Sequence, residues 1–137
     1  TPVERPGYFT EGDRILTVDK ISDVLKITDH LILTLPGGLE TDGLVTSELL
    51  NKLPASCYIY NVGRGNVYQE QDLVELLQKK RLAGAYLDVF AVEPLPEESR
   101  LWELDNVLIQ PHLSAASPNY LELFVEELAK KVNSGKI

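Results

Sequence analysis

Four residues of types that often carry out chemistry stand at similar places in this sequence: Arg64, Asp88, Glu93 and His112. Each lies at or just beyond the end of a short apolar segment that has the composition of a buried strand. In an open parallel sheet, ligands bind at the carboxyl ends of the strands. If the apolar segments are neighbouring strands, we expect these four side chains to converge on one edge of the sheet.

An arginine, a histidine and two acids in one place suit the reduction of a carbonyl group that stands next to a carboxylate. The planar fork of donors on Arg64 can hold the carboxylate with two hydrogen bonds. His112 can give a proton to the developing alkoxide and take one back in the reverse direction. A carboxylate bonded to the imidazole orients it for that transfer. With one cysteine and two histidines in the chain, we expect no metal site.

Each of these residues, taken alone, also has an ordinary structural explanation. Arg64 between two glycines fits a surface loop, and His112 after a proline fits another. Glu93 followed by proline is typical of a turn, and Asp88 can close a turn or cap a helix. Only their shared position at predicted strand ends favours the chemical interpretation.

The elements that must position these residues alternate regularly along the chain. Strands are predicted at residues 30–35, 57–62, 83–90 and 107–110, with a possible short strand at 14–17 and no regular structure at 1–13. Helices are predicted at residues 18–27, 46–52, 70–80 and 117–132. Asp19, Thr46 and Ser117 are the predicted N-caps of the first, second and fourth of these helices. The strands are almost continuously apolar, which is typical of strands buried on both faces. The sequence therefore predicts an α/β fold with a doubly wound, Rossmann-like parallel sheet.

Three ordered motifs resemble those of the D-isomer-specific 2-hydroxyacid dehydrogenases. They are Asn61-Val62-Gly63-Arg64-Gly65, then Leu87-Asp88-Val89-Phe90 with Glu93-Pro94-Leu95-Pro96, then Pro111-His112 with Ser114. Their spacing also agrees with that family, and the resemblance extends from about residue 17 to residue 131. The glutamate at position 93, where formate dehydrogenases have glutamine, argues against formate as the substrate. Gly37-Gly38-Leu39 and Gln110 depart from the usual family pattern.

The resemblance implies a role for each site residue. Arg64 would bind the substrate carboxylate, His112 would donate the proton, Glu93 would be the partner of the histidine, and Asp88 would contact the nicotinamide carboxamide. The cofactor, NAD or NADP, would lie in a cleft lined by Leu35, Pro36, Val62, Gly63, Arg64, Asp88 and His112. The substrate would be a small 2-keto or D-2-hydroxy acid, as in glyoxylate/hydroxypyruvate reductases or phosphoglycerate-dehydrogenase-like enzymes, and the parent protein would be a homodimer. Trp102 is expected to pack in the core because its large apolar surface favours burial.

The glycine-rich dinucleotide fingerprint GxGxxG does not occur in these 137 residues. In the family it lies upstream of a segment like Leu31–Pro36, so residues 1–137 are expected to be the C-terminal part of a truncated dinucleotide-binding domain. The strand that ends at Leu35 would then expose an apolar edge. Without the phosphate-binding helix N-terminus, we expect the isolated chain to have negligible dehydrogenase activity.

Composition excludes several other classes of protein. The net charge of −8 is unfavourable for a nucleic-acid partner, and no apolar run approaches the ~20 residues of a membrane span. The single cysteine, Cys57, is predicted to be a buried structural thiol, and we expect a cytoplasmic protein. Two alternatives to an enzyme remain at this point: a nucleotide-sensing, corepressor-type binding protein of the same family, and an inactive α/β scaffold.

Overall fold

The computed structural model describes residues 21–134, in which helices pack against one face of a parallel sheet and the last helix is fully exposed. The strands are β1 (His30–Leu33), β2 (Tyr58–Asn61), β3 (Gly84–Leu87) and β4 (Val107–Ile109), and they lie side by side in that order. All three pairings are parallel, with Leu31 opposite Ile59 and Ile59 opposite Ala85. The predicted α/β fold with a Rossmann-like parallel sheet is confirmed, and each strand is shorter than its predicted segment by one to four residues.

Within residues 21–134, four α-helices and two short 3-10 helices connect and follow the strands. They are α1 (Ile21–Leu25), α2 (Ser47–Leu50), α3 (Glu70–Gln78) and α4 (Tyr120–Asn133), with 3-10 turns at Gly65–Val67 and Arg100–Glu103. Thr46 is the N-cap of α2 as predicted, because its hydroxyl accepts a hydrogen bond from the backbone N–H of Leu49 at 3.3 Å. The predicted strand 14–17, the loop 1–13, the cap Asp19 and the start of the helix 18–27 lie outside the described residues.

The core lies between the sheet and α2 and α3. Leu33, Ile59 and Leu87 point from three adjacent strands toward these helices and are buried. The apolar face of α3, which consists of Leu73, Val74, Leu76 and Leu77, is buried against them. The helix ends at Gln78 and has Lys79 as its C-cap. Lys80 then adopts a left-handed conformation with φ of 52°, and Arg81 N–H bonds back to the Leu76 carbonyl. This packing fixes β2 and β3, the two central strands, relative to each other.

The prediction that the strands are buried on both faces is wrong for the described residues. Ile32, Tyr58 and Leu108 are exposed on the face of the sheet opposite α3, which also carries Tyr60 and Tyr86. The prediction relied on the apolar run of each strand. Apolar and aromatic residues occupy both faces of this sheet, although helices cover only one of them in the described residues. Within residues 21–134, β1 forms one edge of the sheet.

The predicted N-cap of the last helix is also wrong. The helix begins at Tyr120, not at Ser117-Pro118, and Asn119 at its N-cap position makes no side-chain capping bond. Ser117 instead closes a turn before the helix, since its carbonyl accepts from Tyr120 N–H at 3.1 Å. Every residue of α4 is exposed, including the predicted apolar stripe of Leu121, Phe124, Val125, Leu128 and Val132.

Three further expectations from the sequence concern the cysteine, membrane-spanning helices and metal sites. Cys57 is a free and fully buried thiol at the start of β2, as expected, and burial raises its pKa. Of the helices in the described part of the chain, none is both long and apolar enough to cross a membrane. Between residues 21 and 134 no cluster of His, Cys, Asp or Glu side chains has the size and proximity to hold a metal ion.

Candidate active site

Glu93 and His112 meet beyond the carboxyl ends of β3 and β4. The imidazole Nδ1 of His112 lies 2.8 Å from Oε2 of Glu93, and the other carboxylate oxygen, Oε1, accepts from the backbone N–H of Phe90 at 2.9 Å. The side chains are 35% and 47% exposed for Glu93 and His112. Because an ionised carboxylate only accepts hydrogen bonds, Nδ1 is the donor of this pair, and the imidazole Nε2 has no hydrogen-bond partner within residues 21–134.

The surroundings of Glu93 favour its ionised form. The hydrogen bond from His112 lowers the pKa of the Glu93 carboxyl most, and the bond from Phe90 N–H lowers it further. Partial burial opposes this shift, while the charges of His112 and Arg64 support it. Glu93 therefore remains a carboxylate at neutral pH and holds the imidazole in one orientation.

Asp88 supports the loop that carries His112. It is only 1% exposed, and its two carboxylate oxygens accept from the backbone N–H groups of Leu113 at 2.7 Å and Ser114 at 2.8 Å. Burial raises the pKa of Asp88, but the bonds from Ser114 and Leu113 outweigh burial, so the pKa is lowered overall. His112 itself has a φ of 57°, a conformation that costs about 1–3 kcal/mol for a non-glycine residue. The two bonds from Asp88 hold the backbone immediately after this strained residue.

The predicted contact of Asp88 with a nicotinamide carboxamide is not tested by this geometry and stays a prediction. Sequence reasoning did not assign to Asp88 the role of anchoring the histidine loop. An acid at the end of a buried strand is itself a signal of such a role, because a buried carboxylate needs hydrogen-bond donors nearby.

Asn61 holds the loop that carries Arg64. It is fully buried at the end of β2, where its Nδ2 donates to the Arg64 carbonyl at 2.9 Å and its Oδ1 accepts from Gly63 N–H at 3.1 Å. This residue belongs to one of the motifs identified in the sequence, but sequence reasoning assigned it no role. An amide at an inward-facing strand position is unusual, and that placement is the signal that could have identified it.

Arg64 is exposed and extends over the loop that follows β1. Its Nη1 donates to the carbonyl of Gly63 at 2.7 Å. A Cβ placed on Gly37 would lie 3.3 Å from Arg64 Cγ, so the arginine stem runs directly beside that glycine. The charge of Arg64 also lowers the pKa of Glu93. Arg64, Glu93 and His112 thus share one edge of the sheet, as the sequence predicted.

Two glycines allow the loops at this edge to touch. A Cβ on Gly63 would lie 2.6 Å from the Leu35 carbonyl oxygen, and a Cβ on Gly65 would lie 1.9 Å from the carbonyl carbon of Phe90. Only a residue without a side chain permits such close backbone contact. The loops that follow β1 and β2 are therefore in direct backbone contact at Leu35 and Gly63.

Trp102 does not pack in the core, and the prediction of core burial is wrong. Its side chain is 54% exposed, and its Nε1 donates to the Pro96 carbonyl at 2.9 Å. The ring forms one wall of a cavity of about 460 Å³, which is otherwise lined mainly by apolar side chains and reaches Glu93 and His112. The amphipathic ring keeps its N–H bonded while its apolar faces remain free for contact.

Residues 4–114 match the family model of the D-isomer specific 2-hydroxyacid dehydrogenase, NAD binding domain. The glyoxylate/hydroxypyruvate reductase A of Salmonella paratyphi B is 42% identical over 99 residues, which are 72% of this chain and 32% of that protein. The chain thus spans about a third of the length of the curated relatives that it matches.

Solved structures show the same fold. The NADPH-dependent glyoxylate/hydroxypyruvate reductase of Sinorhizobium meliloti, in complex with NADP and sulfate, superposes with a TM-score of 0.80 at 34% identity, covering 98% of this chain and 44% of that chain. A probable 2-hydroxyacid dehydrogenase of Rhizobium etli, in complex with NADP, HEPES and L(+)-tartaric acid, gives a TM-score of 0.78 at 38% identity. That match covers 93% of this chain and 42% of that chain.

Proposed function

The chain belongs to the D-isomer specific 2-hydroxyacid dehydrogenase family, within its NAD-binding domain, and from this premise we propose that it carries the catalytic residues of an NAD(P)-dependent oxidoreductase. The reaction interconverts a small 2-keto acid and the corresponding D-2-hydroxy acid. The main support for this proposal is the hydrogen bond of 2.8 Å between Glu93 and His112. Because Nδ1 of the imidazole is bonded to Glu93, Nε2 is the nitrogen that would face the substrate.

The acid–base role belongs to His112. With Nδ1 bonded to Glu93, Nε2 carries the proton that is donated to the carbonyl oxygen as C2 is reduced, and it accepts that proton in the reverse direction. Glu93 stabilises the imidazolium that forms during oxidation of the hydroxy acid, because its carboxylate is ionised at neutral pH. Asp88 positions this pair through the backbone after His112.

Arg64 binds the substrate carboxylate. Its guanidinium is exposed on the same edge as His112, and its backbone is fixed by Asn61. A bidentate arginine–carboxylate contact would hold the 2-keto acid in one orientation, with the carbonyl oxygen directed to His112. The substrate is then oriented by two of its functional groups before any bond changes.

The residues at this edge fit the nicotinamide end of the cofactor. Leu35, Pro36, Val62 and Gly63 belong to the loops after β1 and β2, which are in backbone contact because Gly63 has no side chain, and Asp88 lies at the end of the neighbouring strand β3. When bound there, NADH or NADPH supplies the hydride for C2. The phosphate-binding fingerprint does not occur in the 137 residues, so these residues alone account only for the nicotinamide end.

Two expectations from the sequence form part of the same proposal. Residues 1–137 are the C-terminal part of a dinucleotide-binding domain, and the chain alone has negligible dehydrogenase activity because it lacks a phosphate-binding loop. The protein that carries this chain acts as a cytoplasmic homodimer. Activity assays of the isolated chain and size-exclusion chromatography of the larger protein test these two statements separately.

Oxidation of NADH and NADPH by the protein that carries this chain tests the proposed reaction. We expect turnover with a small 2-keto acid such as glyoxylate, hydroxypyruvate or pyruvate, and loss of turnover in the H112A variant. Tight NADH binding without turnover of any 2-keto acid would overturn the enzymatic proposal and support a nucleotide-sensing binding protein instead.

A further inference from the structure

Gly37, in the loop after β1, is in contact with the side chain of Arg64. A Cβ placed on this glycine would lie 3.3 Å from Arg64 Cγ, 3.7 Å from Cδ and 3.8 Å from Nε. Carbon atoms in ordinary contact are about 3.5–4.0 Å apart, so successive atoms of the arginine stem pass lengthwise across the glycine. Any side chain with γ atoms at this position would occupy the space that the stem occupies.

The reason for glycine differs between positions 37 and 38. The φ angle of Gly37 lies outside the left-handed region, so the backbone would accept another residue, and a new side chain would meet only Arg64. Gly38 has a φ of 154°, which L residues rarely adopt, but no atom lies within 4 Å of the place of its Cβ. Of these two departures from the usual family pattern, Gly37 is therefore the one that makes room for the arginine.

Hydrogen bonds hold the loop after β1 against the segment after β2. The Thr41 hydroxyl donates to the Pro36 carbonyl at 2.6 Å, which closes the loop on itself. The backbone N–H of Gly43 then donates to the Asn66 carbonyl at 2.9 Å, which joins the loop to the residues that follow the arginine. A side chain at position 37 would therefore displace the flexible arginine stem rather than the loop.

Two further contacts fix the two ends of Arg64. At its backbone, the carbonyl accepts from Asn61 Nδ2 at 2.9 Å, and at its tip, Nη1 donates to the Gly63 carbonyl at 2.7 Å. The bond to Gly63 uses one N–H group of the guanidinium and leaves the others for a ligand. None of the ion pairs among residues 21–134 includes Arg64. The side chain is thus held in place before a carboxylate binds.

We propose that Gly37 is a positioning residue for the substrate: its missing side chain lets the Arg64 stem lie against the loop after β1, which sets the place of the guanidinium that binds the substrate carboxylate. This inference rests on the proposed function, because it needs Arg64 to bind that carboxylate. An arginine that is already held in one conformation loses less conformational freedom when a bidentate contact forms. Position 37 therefore determines the affinity for the substrate and acts on it through Arg64.

G37V in the protein that carries this chain tests the proposal. The branched side chain of valine displaces the arginine stem, so we expect KM for the 2-keto acid to rise while kcat stays near the wild-type value, as when an interaction common to ground and transition states is lost. R64Q should lower kcat/KM by roughly 10–150-fold, the range for hydrogen bonds to a charged group, and G37V by on the order of 10-fold. G37A adds only a Cβ and should have a smaller effect in the same direction.

A double-mutant cycle shows whether position 37 acts through Arg64. In the R64Q background there is no guanidinium to position, so G37V should lower kcat/KM no further. G38A is the comparison, since it strains the backbone of the same loop without meeting the arginine, and any loss that it causes should be equal in both backgrounds. L39A removes a side chain that is 97% exposed and should leave KM at the wild-type value. Circular dichroism of each variant confirms that it is folded.

The 137-residue chain provides a second measurement that does not depend on turnover. The NMR resonance of the Arg64 Nε–H group can be identified because it is absent in R64Q. We expect this resonance to move in G37V, where the stem is displaced, and to keep its position in L39A.

Each outcome decides the question. Equal losses from G37V in the wild-type and R64Q backgrounds would overturn the inference and leave the proposed function intact, because Gly37 would then act on the loop alone. A wild-type KM in folded G37V, or an unchanged Nε–H resonance of Arg64, would also overturn it. Wild-type kcat/KM in R64Q would overturn the proposed role of Arg64 and the inference with it. If G37V does not fold, the same comparisons made with G37A decide.

Discussion

The carboxyl edge of the sheet has two layers with opposite properties. Asn61 and Asp88 form a buried floor, in which polar side chains bond to backbone groups of the loops above them. Arg64, Glu93 and His112 form a rim that is open to solvent. Hydrogen bonds from the floor residues fix the shape of the loops, whereas the side chains of the rim are accessible to a ligand. The positions of the exposed side chains therefore depend on buried residues that a ligand would not contact.

This division makes its strongest prediction at the rim. H112A should reduce kcat/KM of the protein that carries this chain by roughly 10²–10⁴-fold, the usual contribution of a general acid–base group. The melting temperature should change little because the side chain is exposed. The matched control is H30A, which removes the other histidine of the chain, located on the open face of the sheet. A large loss of stability in H112A would show that the rim also holds the fold together.

The close contact between the loop that carries Arg64 and the loop that carries Glu93 is tested at Gly65. A Cβ at this position would lie 1.9 Å from the carbonyl carbon of Phe90. Because backbone atoms on both sides must move, G65A should destabilise the chain by about 3 kcal/mol or more. Urea denaturation followed by circular dichroism measures this loss. G37A is the control, since its Cβ would meet only the flexible stem of Arg64, and it should cost much less.

The floor itself is tested by D88N. An asparagine side chain has one acceptor oxygen and a donor NH₂ group, so it cannot accept from both Leu113 and Ser114 in the same way. We expect a loss of about 1–3 kcal/mol in the free energy of unfolding, together with reduced turnover, because the loop that carries His112 is loosened. D105N, which alters an exposed acid paired with Lys80, should have little effect on either quantity. Wild-type turnover in D88N would show that the left-handed His112 backbone needs no support from Asp88.

Acid titration should reveal the smallest difference between floor and rim. The pKa values of Asp88 and Glu93 are both lowered in the folded protein, so each carboxylate stabilises the fold above its ordinary pKa. That contribution should be lost as the pH falls below the ordinary value, 3.8 for Asp88 and 4.5 for Glu93, toward the lowered value. Melting temperatures of D88N and E93Q, measured from pH 6 to pH 2.5, should converge with that of the wild type at the acid end. A constant difference across this range would contradict the lowered pKa values.

The sequence was sufficient to place Arg64, Asp88, Glu93 and His112 at one edge of the sheet, but it did not indicate that Asn61 and Asp88 hold the loops there. Arg64, Glu93 and His112 were identified because strand ends share one edge and because their residue types have chemical roles. The roles of Asn61 and Asp88 depend on which backbone N–H groups approach them, and this depends on loop shape rather than on residue type. The same limitation explains the incorrect prediction that Ser117 is a helix cap, since this residue closes a turn before the helix.

Burial was the other property that the sequence predicted poorly. Apolar runs in the strands indicated a sheet covered on both faces, yet Ile32, Tyr58 and Leu108 are exposed. The size of Trp102 predicts a place in the core, whereas the residue lines a cavity beside Glu93 and His112. An apolar side chain can face a core, a ligand or another surface, and local sequence does not distinguish these environments.

The buried thiol of Cys57 lies at the opposite end of β2 from Asn61, so the two ends of one strand can be monitored independently. The strand spans roughly 13 Å at about 3.3 Å per residue, and Cys57 is fully inaccessible to a thiol reagent in the folded chain. Its labelling rate therefore measures how often the core opens, since the reagent must wait for that event. Variants of the exposed rim should label at the wild-type rate. A variant that loosens the floor enough to spread along β2 would label faster, and this would be measurable without any substrate or cofactor.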